Sequence, residues 1–304
     1  MAFQGVYSII PTAFTDSGDL DEVSQRRVVD LFIDKGANGL TALGVTGEVA
    51  RLEEAERATV LEIVVTQAAG RVPVIAGTSA DGTRTCIAYT RQAKALGAAA
   101  VMVSPPRMPK LNSNAVVAHY KALADAVDLP IIVQDYPPIA GFAMEPALLA
   151  RIAREIPAAR TIKLEDPPTP FKTARILEAA GDTKVQIFGG LGGVFLLEEL
   201  ISGATGAMTG FAFPEILARI MTHWSAGDHD AAADVFYRAV PLMRFEFQEG
   251  IGMAIRKEVL RRRGALASAA TRAPAGALDT PTRQALDRVL TWVTTQKGME
   301  WISV

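Results

Sequence analysis

The sequence predicts a (β/α)8 barrel, an α/β fold of the TIM type, followed by a helical appendage, and three features carry that expectation. Short apolar runs alternate with amphipathic helical stretches, and the change of period recurs eight times before residue 227. The runs are apolar on both faces, as strands of a parallel sheet covered by helices must be. Several helical stretches stop at glycine, as in Lys35-Gly36, Leu96-Gly97 and Ser202-Gly203, where a residue in the left-handed conformation ends a helix. Eight such units suit a closed barrel better than the alternative, an open doubly wound sheet.

In chain order, the first strand is expected at residues 7–12 and its helix at 21–35, with Val28, Leu31 and Phe32 on one face. Strands at 39–43 and 72–76 flank a helix at 53–69 that turns Val60, Leu61 and Val64 inward. Strands at 99–103, 130–133, 160–164, 185–188 and 206–208 complete the eight, and a helix at 214–226 follows the last. Beyond that point the pattern is helical only, at 228–247, 253–263 and 282–295. Residues 1–226 are therefore expected to form a catalytic barrel and 227–304 a helical region packed on it. The alanine-rich segment 267–276, broken by Pro274, is its expected irregular stretch.

A length of 304 residues is compatible with one barrel domain, and 49% hydrophobic residues supply a large core. A net charge of -2 leaves no electrostatic footprint for nucleic acid. The one basic cluster, Arg261-Arg262-Arg263 before Gly264, reads as a helix C-terminus, where cations complement the helix dipole. A single cysteine, Cys86, excludes an intramolecular disulfide framework and a cysteine-based zinc site, and it points to the cytoplasm as compartment. The N-terminal residues show no secretory pattern, and no apolar stretch is long enough to span a bilayer, so neither export nor a membrane partner is expected.

Reacting groups in such barrels lie at the C-terminal ends of strands and in the loops that follow. In Arg160-Thr161-Ile162-Lys163-Leu164-Glu165, a lysine enters a core strand. Desolvation favours a neutral amine, the reagent that attacks a ketone to form a Schiff base. The competing reading is a lysine that snorkels to solvent or pairs with Glu165 or Asp166. After the second strand, Gly44-Val45-Thr46-Gly47-Glu48 brackets a hydroxyl between glycines, either a tight connection or a cradle for a carboxylate or phosphate. After the fifth, Gln134-Asp135-Tyr136-Pro137-Pro138 sets a phenol on a stiffened backbone, to relay a proton or to pack. The glycine-rich runs 189–193 and 206–211 leave room for a ligand near Gly189 and Thr209, or for a phosphate. His119, His223 and His229 fall in helical stretches and receive no catalytic role.

With these motifs in this order, the chain resembles the dihydrodipicolinate synthase and N-acetylneuraminate lyase family of pyruvate-dependent Schiff-base lyases over residues 5–290. The resemblance implies that Lys163 forms the imine with pyruvate or another 2-oxo acid and that Tyr136 shuttles protons. It implies that Thr46, with the amides of Val45 to Gly47, holds the substrate carboxylate. It implies no metal or organic cofactor, a small-molecule 2-oxo acid as partner, and assembly as a homo-oligomer, dimer or tetramer.

Three departures bear on the substrate. The family loop usually carries a hydroxyl where this chain has Val45, and a methyl cannot pass a proton. Glu165, two residues from Lys163 and so on the same strand face if the strand continues, is the candidate replacement. Synthases carry an arginine just beyond the tyrosine, where this chain reads Pro137-Pro138-Ile139-Ala140. Each charged hydrogen bond lost there is worth about 1.5–3 kcal/mol, which disfavours aspartate semialdehyde. Arg107, in Ser104-Pro105-Pro106-Arg107-Met108, stands where synthases place paired tyrosines and is a candidate substitute. Segments 133–137 and 203–214 look more like the branch acting on 2-keto-3-deoxy sugar acids. The expected activity is therefore aldol cleavage or dehydration of a 2-oxo-3-deoxy acid, with 4-hydroxy-tetrahydrodipicolinate synthesis as the alternative. A catalytically idle 2-oxo acid sensor is the competing class.

Overall fold

Residues 3–304 are described in a computed structural model. Eight strands, β1 (Gly5–Ile9), β2 (Gly39–Ala42), β3 (Val74–Gly77), β4 (Ala100–Val103), β5 (Ile131–Asp135), β6 (Thr161–Leu164), β7 (Gln186–Gly189) and β8 (Gly206–Thr209), form a closed parallel barrel. Helices α1 (Glu22–Asp34), α2 (Glu54–Ala68), α3 (Thr83–Ala95) and α4 (Ser113–Ala126) cover the first half. A single turn α5 (Pro137–Ala140), then α6 (Pro146–Glu155), α7 (Thr169–Ala180), α8 (Leu196–Ile201) and α9 (Pro214–Ser225) cover the second. Helices α10 (His229–Glu246), α11 (Gly252–Arg262) and α12 (Thr280–Thr294) follow, α10 lying against α9 and α12.

The period-two alternation of strand side chains sorts the core into two shells. Phe3, Tyr7, Ile9, Ile75, Ala100, Met102, Ile132, Phe188 and Met208 fill the barrel. Their strand neighbours, such as Ile131, Val133, Ile162, Leu164 and Ile187, face the helices in the outer core. Full burial of each large aliphatic or aromatic side chain contributes roughly 1.5–3 kcal/mol. Cys86 is buried and unpaired on α3.

Two strands differ from the sequence expectation. β1 starts at Gly5, which pairs with Gly206 across the barrel closure, and it has ended by Pro11 and Thr12. Proline has no N–H for a ladder, and the Thr12 hydroxyl donates instead to the Gly47 carbonyl at 2.6 Å. β5 runs past Val133 to Asp135 because its two polar residues are each partnered, Gln134 inside the barrel and Asp135 outside it. The arginine cluster closes α11 before Gly264, whose φ is +75°. Its charges are spent on carboxylates: Arg261 and Arg262 on Glu258, and Arg263 on Glu215.

Candidate active site

Alternation along β6 turns Ile162 and Leu164 outward and Lys163 inward, beside Gln134 of β5 and Phe188 of β7. Lys163 is 1% exposed, and its Nζ lies 2.8 Å from Oε2 of Glu165, which continues the inward face beyond the strand. The same oxygen accepts from Gln134 Nε2 at 2.7 Å, and Gln134 Oε1 accepts from the Ser104 hydroxyl at 3.1 Å. A chain of hydrogen bonds thus fixes the carboxylate against the lysine. Gly190 makes room for it, because a side chain there would collide with Glu165.

The cavity above Lys163 holds about 230 Å³ and is lined by Val45, Thr46, Tyr136, Glu165 and Thr209, among others. Tyr136 caps the turn α5 at the end of β5. Burial raises its phenol pKa, the nearby carboxylates of Glu165 and Glu249 add to the rise, and Arg256 opposes it. Thr46 lies in a 3-10 turn, Val45–Gly47, with its buried hydroxyl lacking any hydrogen-bond partner among the described residues. An orphan donor at the floor of a cavity is the kind of group a ligand oxygen satisfies. Lys172 ties the site's two strand ends together from outside the barrel. Its Nζ donates to Asp135 at 2.6 Å and Asp166 at 2.7 Å, the residues that precede Tyr136 and follow Glu165. Burial still pushes the Asp135 carboxyl up to about 6 against the lysine's charge.

Three expected ligand contacts stand elsewhere. The Gly47 N–H closes the 3-10 turn onto the Gly44 carbonyl at 3.0 Å, so only the opening amides of that turn stay available. Gly189 faces outward, and its missing side chain accommodates Glu199 of α8. Arg107 is exposed, its N–H bound to Asp81 at 3.1 Å, and it does not line the cavity. Gly189 and Gly190 therefore give their space to side chains of the protein, Glu199 and Glu165.

Residues from the C-terminal region complete the cavity: Glu246 at the end of α10, the connection through Phe247, Gln248 and Glu249, and Arg256 on α11. Sequence reasoning missed them because nothing in a helical pattern says which turn meets the barrel mouth. One signal was present, a charged Arg256-Lys257-Glu258 run whose three residues are all buried.

Glu199 supplies a test of the burial argument. Burial raises its carboxyl pKa to about 7, partly offset by the Thr169 hydroxyl, which donates to Oε1 at 2.5 Å. A carboxyl whose folded pKa exceeds its unfolded one contributes stability that is present below the unfolded pKa and lost as pH rises through the folded value. Unfolding free energy from urea melts is expected to fall between the ordinary carboxyl value of 4.5 and about 7, with Glu199→Gln flattening the slope. An unaltered slope in that variant contradicts the assignment.

Fold and site together define a class of enzyme, a barrel lyase of the Schiff-base type. Comparisons with known proteins agree. The Dihydrodipicolinate synthetase family matches over residues 2–293. An L-2-keto-3-deoxyarabonate dehydratase of Azospirillum brasilense is 36% identical over 289 residues, 93% of this chain and 92% of that protein. A 4-hydroxy-tetrahydrodipicolinate synthase of Pelobacter propionicus is 35% identical over 232 residues, covering 76% of this chain and 78% of the other. The crystal structure of dihydrodipicolinate synthase from Rhodopseudomonas palustris superposes with a TM-score of 0.89 at 34% identity, over 95% of this chain and 97% of that one. The chain belongs to the dihydrodipicolinate synthetase family.

Proposed function

We propose that the protein is a lyase that dehydrates or cleaves a 2-oxo-3-deoxy sugar acid through an imine on Lys163. The observation that carries this reading is a lysine 1% exposed that lines one cavity with Tyr136, Thr46 and Glu165, so that its pairing with Glu165 Oε2 at 2.8 Å faces a ligand space rather than packed protein. Glu165 takes a proton from the lysine, and the free amine attacks C2 of the substrate. Tyr136 protonates the departing carbinolamine oxygen, water leaves, the imine forms, and the proton that Glu165 took passes to the phenolate, which restores both groups for the next step. The imine then draws the electrons of a broken bond at C3. If that bond is C3–H, Glu165 receives the proton, the C4 hydroxyl leaves as water with a proton from Tyr136, and the reaction is dehydration. If it is C3–C4, the C4 hydroxyl proton passes to the base and an aldehyde departs. Thr46 and the opening amides of its turn hold the C1 carboxylate. Val45 takes no part in proton transfer, and Glu165 stands in for the missing hydroxyl.

Similarity to the Azospirillum dehydratase supports this substrate class, and a carboxylate beside the imine favours dehydration. Similarity to the synthases keeps a second reading, condensation of pyruvate with aspartate semialdehyde. The test is product analysis after incubation with racemic 2-oxo-3-deoxypentonic acids, with pyruvate release followed by lactate dehydrogenase. Loss of water without pyruvate marks dehydration, and pyruvate marks cleavage. Turnover only with pyruvate plus aspartate semialdehyde would overturn the proposal in favour of the second reading. Tyr136→Phe is expected to slow turnover at least about a hundredfold, as for loss of a positioned acid or base. A rate within threefold of wild type, by the same assay, assigns the phenol to packing. Self-association as a dimer or tetramer belongs to this proposal, and a light-scattering mass decides it.

A further inference from the structure

The reading above fixes the 2-oxo acid at C1 by Thr46 and at C2 by Lys163, which leaves the carbons beyond C3 to the remaining polar lining: Arg51 and Thr209 from the barrel, and Glu246, Gln248, Glu249 and Arg256 from the C-terminal region. Arg256 is the one cation of the C-terminal set, and the other cation of the lining, Arg51, is already paired with Glu48 at 3.0 Å. Its side chain is 8% exposed, and its Nε has no hydrogen-bond partner among the described residues. The nearest carboxylate, Glu246 Oε2, is 3.7 Å from Nε, close enough to balance charge and too far for a hydrogen bond. Glu246 Oε2 accepts from the Ala212 N–H at 3.0 Å, and its Oε1 has no hydrogen-bond partner among the described residues. The protein thus buries a guanidinium on the cavity wall, neutralises it and leaves hydrogen-bonding capacity unspent, an expensive arrangement unless a ligand completes it.

Resting on that reading, we propose that Arg256 is the specificity-determining residue of the site and recognises an uncharged, hydroxyl-bearing tail on the 2-oxo acid. The lining at this end alternates a donor with carboxylates. A hydroxyl can accept from Arg256 and donate to Glu246 or Glu249, whereas a second substrate carboxylate accepts from the arginine, is repelled by Glu249 and cannot donate to the unpartnered oxygen of Glu246. The arginine that the sequence lacks after Tyr136 is thus not replaced in kind. A cation reaches the cavity from α11, accompanied by carboxylates that change what it selects.

The experiment compares Arg256→Met and Arg256→Lys with wild type in two reactions. One is deuterium exchange into the methyl group of pyruvate, which needs imine formation and proton loss but offers no tail. The other is kcat/KM for 2-oxo-3-deoxypentonic acid. The ratio of the second to the first is expected to fall about 10- to 100-fold in Arg256→Met, as for a lost charge-assisted hydrogen bond, with part regained in Arg256→Lys. Wild-type enzyme is expected to prefer the pentonic acid to a 2-oxo-3-deoxyaldaric acid, which carries a terminal carboxylate. An unchanged ratio with exchange intact contradicts the assignment of Arg256. Preference for the aldaric acid contradicts the neutral tail. Absence of exchange in the wild type contradicts the Schiff-base reading itself, and this proposal with it.

Discussion

Lys163→Ala is expected to lower turnover of any 2-oxo-3-deoxy acid by at least about 10⁴-fold, because no other amine in the site can replace a covalent nucleophile. Two further basic residues besides Arg256 touch the question. Arg51 lines the cavity, but its guanidinium is 3.0 Å from Glu48 and cannot form an imine. Lys172 is an amine, but it lies outside the barrel between Asp135 and Asp166. The variant should remain folded, since the Glu165 carboxylate left behind keeps its hydrogen bond from Gln134 at 2.7 Å and reaches the cavity. The check is a steady-state assay paired with a thermal melt by circular dichroism. Near wild-type rates in the folded variant would remove the covalent mechanism.

Lys257→Met should give the largest loss of stability, about 3–5 kcal/mol, the range for breaking a buried ion pair from one side. Lys257 and its partner Glu48 are both fully buried. Burial pushes the lysine pKa down, and the facing Glu48 works against that shift. The amine also donates to the Ala270 carbonyl at 2.7 Å and lies 4.3 Å from the centre of the Phe14 ring. Glu48 ends the loop that carries Thr46, in the left-handed conformation with φ 55°. Arg272 adds a backbone N–H to Glu48 at 3.2 Å and bonds to Gly18, Arg51 and Glu56. The C-terminal region therefore pins the loop that carries Thr46, and KM should rise along with the loss of stability if that loop holds the substrate carboxylate as proposed. Urea melts of Lys257→Met, Glu48→Gln and the double variant measure the coupling. A double-variant cost equal to the sum of the single ones would show that the pair contributes no mutual stabilisation.

Much of this architecture was legible in the sequence for a physical reason. Parallel strands covered on both sides must be apolar on both sides, so eight short runs between amphipathic helices leave few alternatives to a barrel. Lys163 stood out because it breaks such a run, and Glu165 followed from the period-two spacing that the structure shows as a 2.8 Å contact. The end of β5 was misjudged because Gln134 and Asp135 are polar. Their burial depends on Glu165 and Lys172, 31 and 37 residues away, and no local pattern announces such partners. Gly189 failed as a ligand contact for a related reason, since an absent side chain does not say whether a substrate or a neighbouring Glu199 fills the space. Arg107 does not line the cavity, while Arg256, 120 residues after Tyr136 in the sequence, reaches it only through the return of α10 and α11.

The most direct measurement is borohydride reduction of the protein in the presence of pyruvate, followed by peptide mass mapping. It needs no knowledge of the natural substrate, because the imine requires only a 2-oxo acid and the amine. A stable adduct on the peptide containing Lys163, absent without pyruvate, is the predicted result. No adduct on folded protein, or an adduct on a different lysine, would contradict the assignment of Lys163 as the imine-forming nucleophile.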